Sequence, residues 1–398
     1  MICLETRHFN VNRILLLAVG LWPYQRSRIV ELQLILFFGI LTTFIIFQFT
    51  TFLTSKCTPE HIIKIISTTF FFTYYVIKYN SFWINADTIR SLLDRLQDVC
   101  NELRDETEIA ILKKYGSKAK RYTTAIILLG IYSVGITTAV CIWTYIQYIG
   151  LPKNESRLNP SEYFITEYFF DQEKYSYLIT LHGLATIYIG SVTLTATGTM
   201  LLAYLQHICG MFSIARIKLY FYSYRIEQAI NILQKDILKS ENMVYKKITY
   251  AVDIHRKAME FTDFLISNFE GSFFLLMVIG VTCISFNLFW LASYNDEIEK
   301  LVAPFLMINI IYAYLFLANY TAQEITDHNE YVFATVYNVQ WYTAPLHIQK
   351  IILFLLQRGI KPFHINYSGI FVASLENAAT LFSTSIYYFT VLCSTREN

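Results

Sequence analysis

The last apolar segment of the sequence carries a stripe of hydroxyl-bearing side chains. Thr380, Thr384, Tyr387, Val391 and Thr395 follow one another at steps of 4, 3, 4 and 4 residues, so they share one face of a helix. This face should avoid lipid, because polar groups in a bilayer need partners or water. The stripe therefore favours either a water-filled pore or a helix–helix interface made of small hydroxyl residues.

The pore interpretation makes the stripe the lining of a pore and Val391 its gate. Val391, near the outer end, would form a narrow apolar ring that closes the pore by dewetting. The residues expected to line the pore and its gate are Thr384, Tyr387, Val391, Ser394 and Thr395. Since one helix cannot enclose a hole, this interpretation requires several copies of the helix around an axis.

A second group of side chains could bury a small molecule. Four apolar segments bring aromatic or small residues to comparable depths, with tyrosine and asparagine as the few orienting polar groups. The candidate ligand-binding residues are Phe71, Phe72, Tyr75, Ile136, Ala139, Trp143, Leu184, Tyr188, Ile308, Asn309 and Tyr312. Ordinary packing with an aromatic belt at the membrane interface is the alternative at most single positions. Because the cluster holds no charge, it favours a neutral volatile or lipophilic ligand.

The sequence gives no sign of an enzyme. It lacks the Walker loop, G-x-S-x-G, H-E-x-x-H and G-x-G-x-x-G, and its tightest acid–histidine pair, Asp327–His328, is expected to be structural. No catalytic residue, metal or cofactor is predicted. The formal net charge of +2 offers no argument for binding nucleic acid.

The segments that must position these residues are long enough to cross a membrane. The chain of 398 residues is 55% hydrophobic and 16% charged, against about 25% charged residues in soluble proteins. The blocks of about 20 mostly apolar residues that a spanning helix needs are Leu34–Leu53, Ile62–Ile84, Thr124–Ile149, Tyr177–Leu205, Gly271–Leu291, Val302–Tyr320 and Gly369–Cys393. We predict an all-α membrane protein with seven transmembrane helices, the last preceded by a cytoplasmic helix within the amphipathic stretch Tyr331–Leu356.

The distribution of basic residues predicts the orientation. Of the 32 Lys and Arg residues, 24 fall on one side of the predicted spans and 6 on the other, and the richer side faces the cytoplasm. The N-terminus is therefore predicted to be cytoplasmic and the C-terminus extracellular. The remaining two, Lys64 and Lys78, lie near the ends of the second span, where they can snorkel. Asn154 begins a glycosylation sequon in a loop assigned to the outside.

The predicted organisation has four regions. Residues 1–33 form a cytoplasmic N-terminal segment with an interfacial helix. Residues 34–320 hold helices one to six, the ligand pocket and cytoplasmic helical extensions. Residues 321–362 form a cytoplasmic anchor region with the helix that precedes span seven, and residues 363–398 form the pore helix and a short extracellular tail.

The chain resembles the insect odorant receptor family, particularly its ant and bee branch. The closing Ser385–Leu392 segment is similar to the terminal serine-tyrosine-phenylalanine-threonine signature of that family. The other segments that carry the resemblance are Gly20–Gln25, Phe169–Tyr175, His207–Phe212, Trp341–Tyr342 with Pro345, Gln349–Lys350, Arg358 and Lys361–Pro362. The threonine-tyrosine then glutamine-phenylalanine pattern of the gustatory receptors is not present.

This resemblance implies an odorant receptor that forms a non-selective, odorant-gated cation channel. Its partners would be a small odorant, membrane lipid and the conserved co-receptor, in a heterotetramer in the plasma membrane of olfactory neuron dendrites. The resemblance matches Ile136, Ala139 and Trp143 to the span-three face of the odorant pocket, and Val391 to the gate. A gustatory-type channel and a seven-span receptor signalling through G proteins are the alternatives, and the reversed orientation opposes the second.

One segment departs from the family pattern. Relatives usually run from the His-x-Cys-Gly segment straight into an Ala-Ser-Tyr-Arg-Ile-Glu stretch, whereas Arg216–Tyr222 here separates Ala215 from Ser223. The segment is either a real insertion or an artefact of the gene model, and it leaves the local helix geometry open.

Overall fold

The computed structural model is all-α apart from one short hairpin. It describes residues 9–25, 27–54, 58–103, 105–150, 166–169, 171, 174–231, 237–293, 298–338, 340–361, 363–367 and 369–397. The helices of this part are α1 (Asn10–Ala18), α2 (Arg28–Phe49), α3 (Thr51–Thr54), α4 (Pro59–Ile84), α5 (Ala86–Glu102), α6 (Glu106–Gly150), α7 (Ser176–Asn231), α8 (Ile237–Ser293), α9 (Ile298–Tyr337), α10 (Leu346–Gly359) and α11 (Leu375–Glu397). Strands β1 (Asn366–Tyr367) and β2 (Phe371–Val372) pair antiparallel before α11. The predicted all-α class is confirmed.

Five helices of the described part are long and apolar enough to cross a membrane. They are Arg28–Thr54, Glu106–Gln147, Ser176–Tyr222, Asn242–Ser293 and Leu301–Tyr337. The other two predicted spans correspond to α4 and α11. The first carries lysines and the second is rich in Ser, Thr and Tyr, which lowers their hydropathy. The count of seven spans and the orientation stay predictions, as do the boundaries of the four regions.

Three of the described helices, α2, α4 and α11, are capped at their starts by hydroxyl side chains. Ser27 precedes α2 and its Oγ accepts the Val30 N–H at 3.3 Å. Thr58 precedes α4 and accepts the His61 N–H at 3.3 Å, while Pro59 occupies the first helical position without losing a hydrogen bond. Ser374 accepts the Asn377 N–H at 3.0 Å before α11. These caps satisfy backbone donors that the first turn leaves free.

The long helices extend well past their apolar segments and are joined there by ion pairs. Helices α6, α7, α8 and α9 contain 45, 56, 57 and 40 residues, whereas a span needs about 20. Lys118 of α6 pairs with Glu324 of α9. Lys257 of α8 reaches Glu102 of α5 at 2.6 Å. Ion pairs between different helices therefore connect the extensions beyond the apolar segments.

The segment that departs from the family pattern continues α7 without a break. Seven residues make almost two full helical turns, so Arg216–Tyr222 lengthens α7 while changing its facing direction by only about 20°. Leu219 is buried, and Lys218 pairs with Asp105 and, at 3.0 Å, with Glu108. The hydrogen bond from Lys218 holds the pKa of Asp105 at about 2, so this pair persists across physiological pH.

Two local expectations differ from the structure. Of the block Gly369–Cys393, only the part from Leu375 is helical, because β2 occupies Phe371–Val372. In the stretch Tyr331–Leu356, α9 runs to Tyr337, a 3-10 helix spans Trp341–Thr343, and α10 is a separate helix after Pro345, as predicted. Ala344 is extended, as is favoured before a proline. Lys78 does not snorkel, because its side chain points into the helix bundle and is only 6% exposed.

The N-terminal helix packs against the bundle. Asn12 and Leu16 of α1 are buried, and the Asn12 side-chain amide donates to the Thr199 carbonyl of α7 at 3.2 Å. This contact fixes α1 to α7, and its predicted interfacial role stays a prediction. The Asn154 sequon lies outside the described residues.

Candidate functional site: a charge-free cavity and an uncovered helix

A cavity of about 50 Å³ lies in the half of the bundle where α4 begins. It is enclosed by α2, α4, α6, α7, α8 and α9, and we call it the outer cavity. Its lining residues are Gln48, Thr68, Phe71, Phe72, Tyr75, Ser133, Val134, Thr137, Ile187, Ser191, Trp290, Ala303, Leu306, Met307 and Ile310. Among the described residues no charged side chain lines it, so it suits a neutral molecule.

Aromatic rings of α4 form one wall of the outer cavity. Tyr75 packs edge-on against Phe71, with ring centroids 4.9 Å apart, and against Phe72 at 6.0 Å. Phe72 in turn contacts Phe44 of α2 at 4.6 Å. Edge-to-face pairs of this kind add about 0.5–1.5 kcal/mol beyond the area they bury. The wall is therefore a fixed aromatic surface.

The polar groups of the outer cavity are few and mostly satisfied. Ser133 and Thr137 of α6 donate to backbone carbonyls of their own helix at 2.9 Å. The hydroxyls of Tyr75 and Ser191 lie 3.5 Å apart. The exception is Trp290 of α8, whose buried indole N–H has no acceptor among the described residues. A buried donor without a partner is costly, and a ligand oxygen could supply the acceptor.

Three of the eleven predicted ligand residues line this cavity, namely Phe71, Phe72 and Tyr75. On α6, α7 and α9 the cavity is lined by neighbouring positions. Trp143 is 54% exposed, and Ala139, Tyr188, Asn309 and Tyr312 are also exposed. The remaining predicted positions, Ile136, Leu184 and Ile308, are half-buried and do not line it either. The four helices lie around the cavity as expected, but α6 and α9 turn a different face to it. On α7, Leu184 shares the face of Ile187 and Ser191 and lies about one turn before them.

Some of the outward-facing residues contact neighbouring helices. The hydroxyls of Thr138 on α6 and Tyr188 on α7 lie 3.0 Å apart. Tyr312 of α9 packs against Phe382 of α11, with ring centroids 5.1 Å apart. Tyr312 therefore links a helix of the cavity wall to the last helix.

The face of α6 that lines the cavity was not predicted. Ser133 and Thr137 line the cavity, and Cys141 and Thr144 continue the same helical face at steps of 4 and 3 residues. Small and hydroxyl residues at helical spacing mark a surface packed on other helices, because such residues let the backbones approach closely. This signal was present, whereas the more conspicuous Trp143 lies on the other side of the helix.

Helix α11 is covered along one narrow face only. Ala378, Leu381 and Ser385 are buried, where α11 packs on α8 and α9. The predicted pore residues Tyr387, Val391, Ser394 and Thr395 are exposed, and Thr384 is half-buried. Ser394 and Thr395 donate to the Val391 carbonyl at 2.9 and 2.8 Å, so their hydroxyls are satisfied within the helix. The stripe is therefore left open in one chain.

Comparison with known proteins agrees with this arrangement. The model of the 7tm odorant receptor family matches residues 58–386. Putative odorant receptor 85d of Drosophila melanogaster is 24% identical over 128 residues, 32% of this chain and 29% of that protein. The aligned part thus spans less than a third of the length of this curated relative.

Two solved structures share the fold over almost the whole chain. The insect olfactory receptor OR5 from Machilis hrabei in complex with eugenol has a TM-score of 0.77, with 16% identity and 97% of both chains covered. A second structure of that receptor has a TM-score of 0.73, with 15% identity, 96% of this chain and 97% of that chain covered. At this identity the likeness establishes a common fold alone.

Proposed function

We propose that this chain, which belongs to the 7tm odorant receptor family, is the odorant-binding subunit of a ligand-gated, non-selective cation channel. The observation that carries the proposal is the charge-free aromatic outer cavity, which lies in the same chain as a helix with an uncovered hydroxyl stripe. The matching family is a receptor family and not an enzyme family. The channel, its ion selectivity and its co-receptor partner are parts of the proposal.

The ligand is a small neutral molecule with an apolar body and one oxygen acceptor. Phe71, Phe72 and Tyr75 would hold the body, and the unpaired indole N–H of Trp290 would donate to the oxygen. The Machilis receptor structure, solved with eugenol, is a precedent for a small molecule in this fold. The ligand roles of the eight positions away from the cavity stay predictions.

The pore would form where α11 helices of several subunits meet. Seven spans with a cytoplasmic N-terminus place Val391 near the extracellular end of α11, as the charge distribution predicts. The exposed stripe from Thr384 to Thr395 would then face the axis, with Val391 as the apolar gate. The other subunits would be the odorant receptor co-receptor, in a heterotetramer in the dendritic membrane of olfactory neurons.

The opening mechanism follows from differential binding. An odorant opens the channel only if it binds the open conformation better than the closed one. Helix α9 supplies part of the cavity wall, and its Tyr312 contacts Phe382 of α11. A shift of α9 on odorant binding would therefore reach the pore helix through this ring contact.

Whole-cell current tests this function. Cells expressing the chain with and without the co-receptor are exposed to an odorant panel while G-protein signalling is blocked. We expect a fast cation current that requires both subunits. A response abolished by the G-protein block would contradict the channel mechanism, and a response to tastants alone would favour a gustatory-type channel.

A further inference from the structure

We propose a second ligand site, deeper in the bundle, that binds through Lys78 a carboxylate whose aliphatic chain is shorter than that of a membrane fatty acid. It lies in a cavity of about 90 Å³ between α4, α6, α7, α8, α9 and β1, which we call the inner cavity. No residue lines both this cavity and the outer one. The two sites are therefore separate, although Tyr74 and Tyr75, which follow each other on α4, belong to one each.

The central observation is a buried lysine amine without a carboxylate partner. Lys78 lines the inner cavity, and no described carboxylate lies within 4 Å of its nitrogen. The nitrogen lies near two rings, with Phe273 and Tyr314 centroids at 5.7 and 5.8 Å. Rings stabilise a cation only partly. A buried charge is strongly unfavourable without a partner, so the charged form of Lys78 requires an anion beside it.

The remaining walls define the rest of the ligand. Leu201, Leu205, Leu276 and Met277 are among the many aliphatic side chains around the cavity, so the anion must carry an apolar chain. The cavity is too small for a long acyl tail. A carboxylate with a short aliphatic chain meets both requirements, whereas a phosphate or a free halide would leave the apolar walls unfilled.

The inner cavity also contacts the start of the pore helix. Asn319 lines the cavity, and its side-chain oxygen accepts the backbone N–H of Ser374, the residue that caps α11, at 3.2 Å. Tyr367 of β1, in the segment that leads into α11, also lines the cavity. A carboxylate beside Lys78 would therefore lie next to the groups that hold the beginning of α11.

The test uses the purified full chain in detergent and needs no channel current. Thermal unfolding is measured by intrinsic fluorescence with octanoate, with 1-octanol and with palmitate. We expect octanoate near 100 times its Kd to raise the midpoint by about 2–5 °C. 1-Octanol, which has the same chain but no charge, should not do so. A palmitate effect equal to that of octanoate would identify a membrane fatty acid as the occupant and would overturn the short-chain assignment.

Two lysine variants make the test specific. Lys78→Met removes the ammonium and should abolish the octanoate effect, while Lys78→Arg should keep it. Lys64→Met is the matched control, because it removes the other lysine of α4, whose nitrogen lies 5.2 Å from the Trp290 ring and outside the inner cavity. Octanoate stabilisation that persists in Lys78→Met, or that 1-octanol reproduces in the unmodified chain, would overturn the proposal even if one variant failed to fold.

Discussion

The ring of Tyr75 on α4 occupies the space that Gly190 on α7 leaves free. A Cβ atom at position 190 would overlap ring atoms Cγ, Cδ2 and Cε2 of Tyr75. Because this ring also lines the outer cavity, the absence of one side chain on α7 sets the shape of the proposed odorant site.

Gly190→Ala should therefore impair odorant detection. The added methyl group displaces Tyr75, and overpacking of this kind costs about 1–3 kcal/mol. We expect the half-maximal odorant concentration to rise by roughly 10-fold, the equivalent of about 1.4 kcal/mol, in current recordings. Gly135→Ala on α6 is the control, since a Cβ there meets nothing within 4 Å. Equal effects of the two substitutions would argue against the Tyr75 contact.

Substitutions of Trp290 and Trp143 distinguish two possible positions of the ligand. Trp290→Phe removes the unpaired indole N–H and should weaken the response to an oxygen-bearing agonist by roughly 5-fold, as expected for one lost hydrogen bond. Trp143→Phe changes an exposed side chain on the other side of α6 and should leave the dose–response curve unchanged. The opposite pattern would place the odorant against the predicted Trp143 face instead.

Lys218 should be essential for the stability of the helix extensions. Lys218→Met leaves Glu108, only 3% exposed, as a buried carboxylate without a counter-charge, with the Tyr250 hydroxyl at 3.4 Å as its remaining donor. Removing one partner of a buried pair costs about 3 kcal/mol or more. We expect a clearly lower unfolding midpoint for the purified protein and less receptor at the cell surface.

The control variant removes a different cation, one whose ion pair lies on the surface. Arg256 pairs with Asp253 on the surface of α8, where such a pair contributes at most about 1 kcal/mol. Arg256→Met should therefore melt within a degree or two of the unmodified chain. If both variants behave alike, the segment Arg216–Tyr222 does not anchor α7 to α6.

The proposed gate makes a prediction about basal current. Val391→Ala shortens the apolar side chain at the narrowest ring, so the closed pore should be easier to wet and the current without odorant should rise. Ile386→Ala removes a similarly exposed apolar side chain outside the stripe. It should leave the basal current unchanged, and an unaltered basal current in Val391→Ala would count against the gate.

The sequence predicted the helices well because length and hydropathy act over whole segments. Six of the apolar blocks coincide with helices α2 to α4 and α6 to α9, and the seventh is helical only from Leu375, the start of α11. Ser27, Thr58 and Ser374 cap helix starts with the residue types that capping favours. Both features depend on residues that are close together in the sequence, so the sequence pattern alone predicts them.

The faces of the helices were harder to predict. In a soluble helix the apolar side faces the protein, but a spanning helix is apolar towards lipid as well, so periodicity does not distinguish the two sides. Trp143 and Tyr312 are predicted ligand residues, yet both are exposed and neither lines the outer cavity. For Lys78 the sequence predicts a side chain that snorkels towards the membrane surface. Only its packing against α8 and α9 shows that the side chain is directed inward.

Helix α7 passes both cavities and the ion pairs of the helix extensions without interruption. Ser191 at the outer cavity and Lys218 at the far ion pair are about 40 Å apart along its axis, at 1.5 Å per residue. When the helix tilts as a rigid body, a tilt of about 3° at Ser191 moves Lys218 by about 2 Å. This displacement is comparable to the helix shifts that switch subunit interfaces. A molecule of a few atoms could thus be sensed at the opposite end of the receptor by rotation alone, with no rearrangement of the core between them.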